Sequence, residues 1–269
     1  MKFVPKRLDE TQDISRGNTN LRVFGRVLVV AGVVGVLLIL LLAFVFEQAA
    51  VHLSDEAEQK YLAWITESIP TLAVNDDADL AEKYDRAQHV LRKLMSQGYE
   101  RDLPYELKFI DFPEPNAFAA PGGLIAISPA LFDWVETEEG LAFVLAHELA
   151  HHEARHVGRR MARGMLVILV QLMLDGSVGN TSIDWMGQLA VAQYSQSQEY
   201  DADSLALKRL AQLYPDLSNA TEFLERALDA ADDFPIAVGI WQSHPPTAER
   251  LERVHAQIRG LHKGTRSSE

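Results

Sequence analysis

Hydrophobic positions are densest at Val27–Phe46, twenty residues with neither a charge nor a polar face. As a helix rising about 1.5 Å per residue, such a run spans a hydrocarbon core of about 30 Å. A globular core helix keeps a polar stripe, and the apolar part of a cleaved leader is shorter, so an uncleaved single-pass anchor is expected. Downstream the pattern changes. Apolar residues recur at helical spacing over His52–Ser68 and Asp76–Gln97, punctuated by Pro70 and Gly98. Pro104–Phe112 (PYELKFIDF) alternates as a strand does, Pro113–Gly123 is rich in turn residues, and Leu124–Ser128 (LIAIS) is a short apolar strand. Helical patterns follow from Pro129 to about Gly158 and over Ile183–Leu213, Thr221–Ala231 and Thr247–Arg259. Met165–Leu174 is apolar except for Gln171; ten residues are too few to span, so a core or interfacial helix is expected there. A few strands among many helices predict a mostly helical α+β fold with a small sheet, behind one transmembrane helix. The chain then divides into a tail (1–26), an anchor (27–46), a helical region (47–103), a main domain (104–260) and a second tail (261–269).

Charge adds an orientation. The formal net charge of −13 divides into +3 before the apolar run and −16 after it. Six basic residues precede the run, whereas Lys60 stands alone among acidic residues in the twenty that follow it. Basic residues stay on the cytoplasmic side, so the N-terminus is expected inside and residues 47–269 outside, on the periplasmic or extracytoplasmic face of the inner membrane in a bacterium. So acidic a body is a poor ligand for nucleic acid. The absence of Cys removes thiolate nucleophiles and Cys-held zinc, leaving His and carboxylate as metal ligands.

Residues 147–156 read HELAHHEARH, which holds His-Glu-x-x-His twice: His147–Glu148–His151 and His152–Glu153–His156. Histidines four apart lie on one helix face and can share a Zn²⁺, with the intervening Glu placed to take a proton from bound water. Five positions along a helix turn through about 500°, so His152 points about 140° away from His147 and one ion cannot use both pairs. The apolar GLAFVLA before His147 would bury the first pair, while the basic VGRRMARG after His156 reads as exposed surface. A catalytic ion needs a walled cleft that fixes its ligands. The first pair is therefore the expected site, and His152 and His156 are given structural or surface roles. A solvated His-rich helix end is the alternative.

Two histidines do not hold a catalytic ion; three protein ligands plus a water are the rule. On the Ile183–Leu213 helix, Glu199 and Asp203 (EYDAD) stand one turn apart on the same face. Glu199 could ligate while Asp203 holds a ligand imidazole by its second nitrogen. Equally, two acids four apart form an ordinary solvated face in so acidic a chain.

HELAH (147–151) followed by EYDAD (199–203) resembles the HtpX-type family of membrane-associated zinc endopeptidases, gluzincins that include the CAAX prenyl endopeptidases and the periplasmic BepA-like proteases. Asn116–Ser128 (NAFAAPGGLIAIS), the extension to Arg155-His156, and Ser243–Arg250 (SHPPTAER) fit the same family, so the resemblance covers about residues 104–255. The single N-terminal span departs from the multi-span prenyl proteases and from HtpX itself, and is closer to the periplasmic members.

The resemblance implies a zincin-like metallopeptidase domain at 104–260 with one zinc per chain. His147, His151 and Glu199 would bind it, Glu148 would be the general base, and Asp203 would orient His147. His244 would sit near the metal, as a fourth ligand that must leave or as a stabiliser of the transition state, with Arg250 anchoring that loop or the Glu199 region. Otherwise His244 belongs to a rigid His-Pro-Pro turn with Thr247 capping the last helix. His244 and Tyr200 are the candidate donors to the oxyanion. Asn116 falls near the family's substrate groove, or is a turn residue. Leu124, Ile125 and Ala126 are expected to form a sheet edge on which an extended substrate pairs. The expected function is a membrane-anchored zinc endopeptidase acting on unfolded, misfolded or mislocalised envelope proteins, with those chains and the membrane as partners. The alternative is a zinc-stabilised chaperone or binding module with latent or weak proteolysis. A prenyl-peptide protease is disfavoured, because one span leaves no intramembrane chamber.

Overall fold

The computed structural model describes residues 17–74, 77–175, 193–230 and 244–266, and the chain divides into two compact units, 1–45 and 46–269. Helix α1 (Gly17–Val51) makes up the described part of the first and runs on into the second. Its stretch Leu21–Val51, 31 residues, is long and apolar enough to cross a membrane, and most of its large apolar side chains from Val27 to Val45 are exposed. The helix overruns the expected span at both ends, and no proline interrupts it.

In the second unit, α2 (Asp55–Glu67) and α3 (Ala78–Met95) each begin at a side chain that accepts from first-turn amides. Ser54 Oγ takes the Ala57 N–H, and Asp77 Oδ1 takes those of Asp79 and Leu80. A three-stranded sheet follows, built from β1 (Glu106–Phe109), β2 (Ala117–Ala120) and β3 (Leu124–Ile127) in the order β1-β3-β2. β3 runs parallel to β1 and antiparallel to β2.

The sheet changes two expectations. Pro113–Gly123 holds a strand, β2, whose small residues Ala117, Ala119 and Ala120 are buried. β3 is the central strand with both ladders occupied, so Leu124, Ile125 and Ala126 are not a sheet edge and cannot pair with a substrate. The outer side of β1 is partly taken, since Leu72 N–H donates to Phe109 O at 2.8 Å. Among the described residues no strand pairs with the outer side of β2. The β2–β3 turn needs glycine: Gly122 and Gly123 have φ of 75° and 93°, and a Cβ on Gly123 would meet the Pro104 backbone at 3.2 Å.

The helical stretch expected from Pro129 to Gly158 divides into a tight turn at Pro129–Asp133, α4 (Glu138–Glu153) and the start of α5 (His156–Asp175). Thr137 Oγ1 caps α4 by accepting from Gly140 N–H, and Glu138 and Glu139 complement the positive end of its dipole. Every residue of α4 from Gly140 to His152 is buried. A helix apolar nearly all round belongs in the interior, and α4 is enclosed by α3, the sheet and α6 (Gln196–Leu213). The chain continues through α7 (Glu222–Ala230) and α8 (Ala248–Arg266). Of the helix expected over Ile183–Leu213, residues 183–192 lie outside the described residues, and a Ser195–Gln198 capping box starts α6 at Gln196. Met165 and Val167 on α5 are exposed, so this part of Met165–Leu174 does not fill the core.

Candidate metal centre

Helix spacing brings His147 and His151 to one face of α4, with their Nε2 atoms 3.0 Å apart. Glu199, in the first turn of α6, meets both: Oε2 is 3.4 Å from His147 Nε2, and Oε1 is 3.4 Å from His151 Nε2. His244, just before α8, brings Nδ1 to 3.2 Å from His147 Nε2 and 3.0 Å from Glu199 Oε1. One ligand atom from each of these four buried residues lies within 4.8 Å of the others, so the group could hold a metal ion. Ligand atoms set about 2.0–2.1 Å from a tetrahedral ion lie about 3.3–3.4 Å from one another, close to the spacing found. At most one proton can sit between any two of these atoms, whereas a central cation takes a lone pair from each.

The carboxylates are fixed from behind. Asp203, one turn after Glu199, places Oδ1 2.9 Å from His147 Nδ1. Arg250, from the first turn of α8, donates to Asp203 through Nε (2.6 Å) and Nη2 (2.8 Å), and its Nη1 lies 2.7 Å from Glu199 Oε2. Burial and Arg250 disfavour a charged His147, but Glu199 and Asp203 outweigh them and raise its pKa to about 9. Burial also works against ionising Glu199, yet His244, Arg250 and His147 hold it well below the ordinary carboxylate range. Asp203 is lowered too, with Arg250 and His147 overcoming its burial. Burial, only partly offset by Glu199, pushes His151 well below the ordinary imidazole range and favours the neutral form a ligand needs, whereas His147 would give up its extra proton to a bound ion.

Glu148 tests whether these residues fit an ion. It is fully buried, and among the described residues neither carboxylate oxygen has a hydrogen-bond partner. The closest cationic candidate, His244 Nε2, stands 3.7 Å from Oε1. A buried carboxylate without partners is costly. Glu148, Glu199 and Asp203 gather three carboxylates around the histidines and the guanidinium of Arg250, a donor set that a dication and its water would suit. The donor set fits the group.

Other assignments change. His152 and His156 are not surface residues; they are 0% and 1% exposed. His152 Nε2 donates to Leu124 O at 3.2 Å, tying α4 to the central strand. His156 Nδ1 lies 3.0 Å from His151 Nδ1, so the second His-Glu-x-x-His is split between two tasks. The basic stretch after His156 is not an exposed surface either, because Val157, Arg160, Met161 and Ala162 are buried. Tyr194, which sequence reasoning missed, stacks on His151 with centroids 3.8 Å apart and planes at 17°. Its hydroxyl lies 3.4 Å from Arg160 Nη1, and burial raises its pKa to about 12. The Ser195–Gln198 capping box was the available signal, since it leaves Tyr194 outside α6 and free to turn inward. The ring of Tyr200 instead lies beneath Arg253, 4.2 Å from it, on the α8 side. Asn116 is engaged through its backbone, which exchanges hydrogen bonds of 2.8 Å with Ser128 at the end of the β2–β3 ladder.

A model of the family described as Peptidase family M48 matches residues 81–258, a range that contains every side chain of this centre. A curated relative, the mitochondrial metalloendopeptidase OMA1 of Schizosaccharomyces pombe, is 30% identical over 174 residues, which cover 61% of this chain and 50% of that protein. The chain thus spans about half the length of that relative.

Proposed function

The chain belongs to peptidase family M48, and we propose that it is a zinc-dependent endopeptidase, anchored in a membrane by α1, that cuts unfolded, misfolded or mislocalised proteins of the cell envelope. One observation carries this reading: the buried carboxylate of Glu148, without a hydrogen-bond partner among the described residues, stands beside the convergence of His147, His151 and Glu199. Two imidazoles and a carboxylate are a common catalytic zinc set. When bound, zinc supplies Lewis acidity, lowering the pKa of a water toward about 7 and polarising the scissile carbonyl. Glu148 takes the proton of the attacking water and returns it to the leaving amine. Asp203 and Arg250 hold His147 in place throughout.

The outer side of β2 is the edge on which an extended substrate would pair, replacing the role expected of β3. Only an unfolded segment can offer a free strand, which supports non-native chains as substrates. The length of α1 and the split between a basic leader and an acidic body support an anchor at 27–46 with a cytoplasmic tail and an extracytoplasmic domain. The motif resemblance to the periplasmic BepA-like proteases supports the same compartment.

His244 favours a second reading. Its Nδ1 occupies the ligand group, which supports the fourth-ligand role over that of oxyanion donor. A substrate needs that position, so the resting protein would be latent, and in the limit a zinc-stabilised binding module. Casein cleavage by the full chain in detergent, abolished by a chelator and restored by zinc, is the expected result. Zinc-loaded protein without turnover would favour the binding module.

A further inference from the structure

His156 is buried beside the centre without contributing to the ligand group. Its Nδ1 faces His151 Nδ1 at 3.0 Å, while His151 turns Nε2 toward His147 and Glu199. Between two imidazole nitrogens one must donate and the other accept. If His151 carried its proton on Nε2, that proton would occupy the place of the ion. If it carries the proton on Nδ1, Nε2 is free to ligate, provided that His156 presents a bare Nδ1 and keeps its own proton on Nε2. Only one proton arrangement of the pair is compatible with a metal.

The backbone is bent to make this contact. On an unbroken helix, His156 would point about 140° away from His151. Instead α4 ends at Glu153, and Arg155 adopts φ 56°, the left-handed conformation, alone among the described non-glycine residues. A strained residue of this kind persists only where its surroundings hold it, and such residues cluster at functional sites. Here the Arg155 side chain is held: Nη1 donates to Leu53 O at 2.6 Å, and Nη2 lies 3.5 Å from Asp55 Oδ1. The turn folds His156 back against the edge of His151, whose face is covered by Tyr194.

We propose that His156 is a positioning residue: by accepting a hydrogen bond from His151 Nδ1, it fixes the tautomer and rotation of that ring so that Nε2 faces the metal. His147 is positioned by a carboxylate, Asp203, and His151 by a neutral imidazole, so the two ligands are held by different chemistry. The proposal rests on the metal-centre reading above.

Zinc affinity of the full chain in detergent, measured by competition with a chromogenic chelator, tests it. His156→Phe fills the ring volume without an acceptor and is expected to weaken zinc about 10- to 100-fold. His156→Asn places an amide oxygen near the position of Nδ1 and is expected to stay close to the parent. The reverse order, with Phe tolerated and Asn not, would mean that His156 only fills space. Unchanged affinity in both variants, or complete loss of zinc in both, would equally overturn the proposal. Should His156→Phe fail to fold, nitrogen-15 spectra of the zinc-loaded parent decide: a protonated His151 Nδ1 and a bare His156 Nδ1 are expected, and the opposite pattern overturns it. His147→Ala serves as the control. Zinc retained there would defeat the metal centre itself, whereas zinc lost there but kept in His156→Phe defeats only the role of His156.

Discussion

Asp203 Oδ1 stands 2.9 Å from His147 Nδ1, while Arg250 grips the same carboxylate at 2.6 and 2.8 Å. The contact keeps the proton of His147 on Nδ1 and turns Nε2 into the ligand group. Arg250 in turn fixes the carboxylate, so α8, α6 and α4 are joined through three consecutive side chains. Weakening the outer links should loosen a ligand, whereas removing a ligand should lose the ion.

Asp203→Asn is accordingly expected to lower zinc affinity by about 10- to 100-fold while one ion still binds at saturation. His147→Ala and Glu199→Ala are expected to empty the site. Metal content of the purified proteins, with chelator competition for the Asn variant, measures both. Parental zinc content in the two alanine variants would refute the ligand set.

Glu148→Gln separates binding from chemistry. Gln keeps the shape of Glu148 but cannot take a proton from water, and Glu148 is not among the atoms that converge as ligands. Zinc content should be unchanged, while casein turnover falls by about two to four orders of magnitude, the usual contribution of a general base. Sustained turnover would remove Glu148 from that role.

What could be read from the chain divides along local and non-local lines. His147 with His151, and Glu199 with Asp203, are four apart on helices, and helical spacing alone puts each pair on one face. The central place of β3 depends on which strands pair across the chain, and the short apolar run LIAI is the same whether it lies at an edge or in the middle. The strand β2 was hidden because NAFAAPGG mixes small apolar residues with turn formers. The return of His156 was hidden for a different reason. The break at Arg155 carries neither glycine nor proline, and what stabilises it is a distant partner, Leu53 O, invisible in local sequence. The ion-pair group of buried Arg101 and Glu58 with half-buried Asp55 was equally silent, since each residue alone reads as a solvated charge.

That group leads to a prediction about acid stability. Burial works against ionising Asp55, but the Arg101 guanidinium, the Asp102 N–H and Arg155 outweigh it and hold the carboxyl below its ordinary value. A folded-state pKa below the unfolded value of about 3.9 stabilises the protein above that pH, and the contribution disappears as pH falls through the folded value. Asp55→Asn should therefore melt at a lower temperature than the parent at neutral pH, and the gap should narrow in acid, below the unfolded value of about 3.9. Thermal unfolding followed by circular dichroism at neutral and acid pH measures it. A gap that widens in acid would contradict this account.

His244 offers the sharpest test of latency. Its Nδ1 is 3.0 Å from Glu199 Oε1 and 3.2 Å from His147 Nε2, a position that a substrate carbonyl or the attacking water would need. The residue is 4% exposed and packed among these side chains. His244→Ala should open that position without removing His147, His151 or Glu199. The expected outcome is casein turnover above that of the parent, with zinc bound somewhat more weakly because one donor is lost. Turnover that instead falls by about a hundredfold or more, the scale for loss of an oxyanion donor, would mean that His244 acts on the transition state and that its place among the ligands is not a block. Measuring turnover and zinc affinity on the same preparations separates the two, since only a blocking fourth ligand gives a faster enzyme with a looser ion.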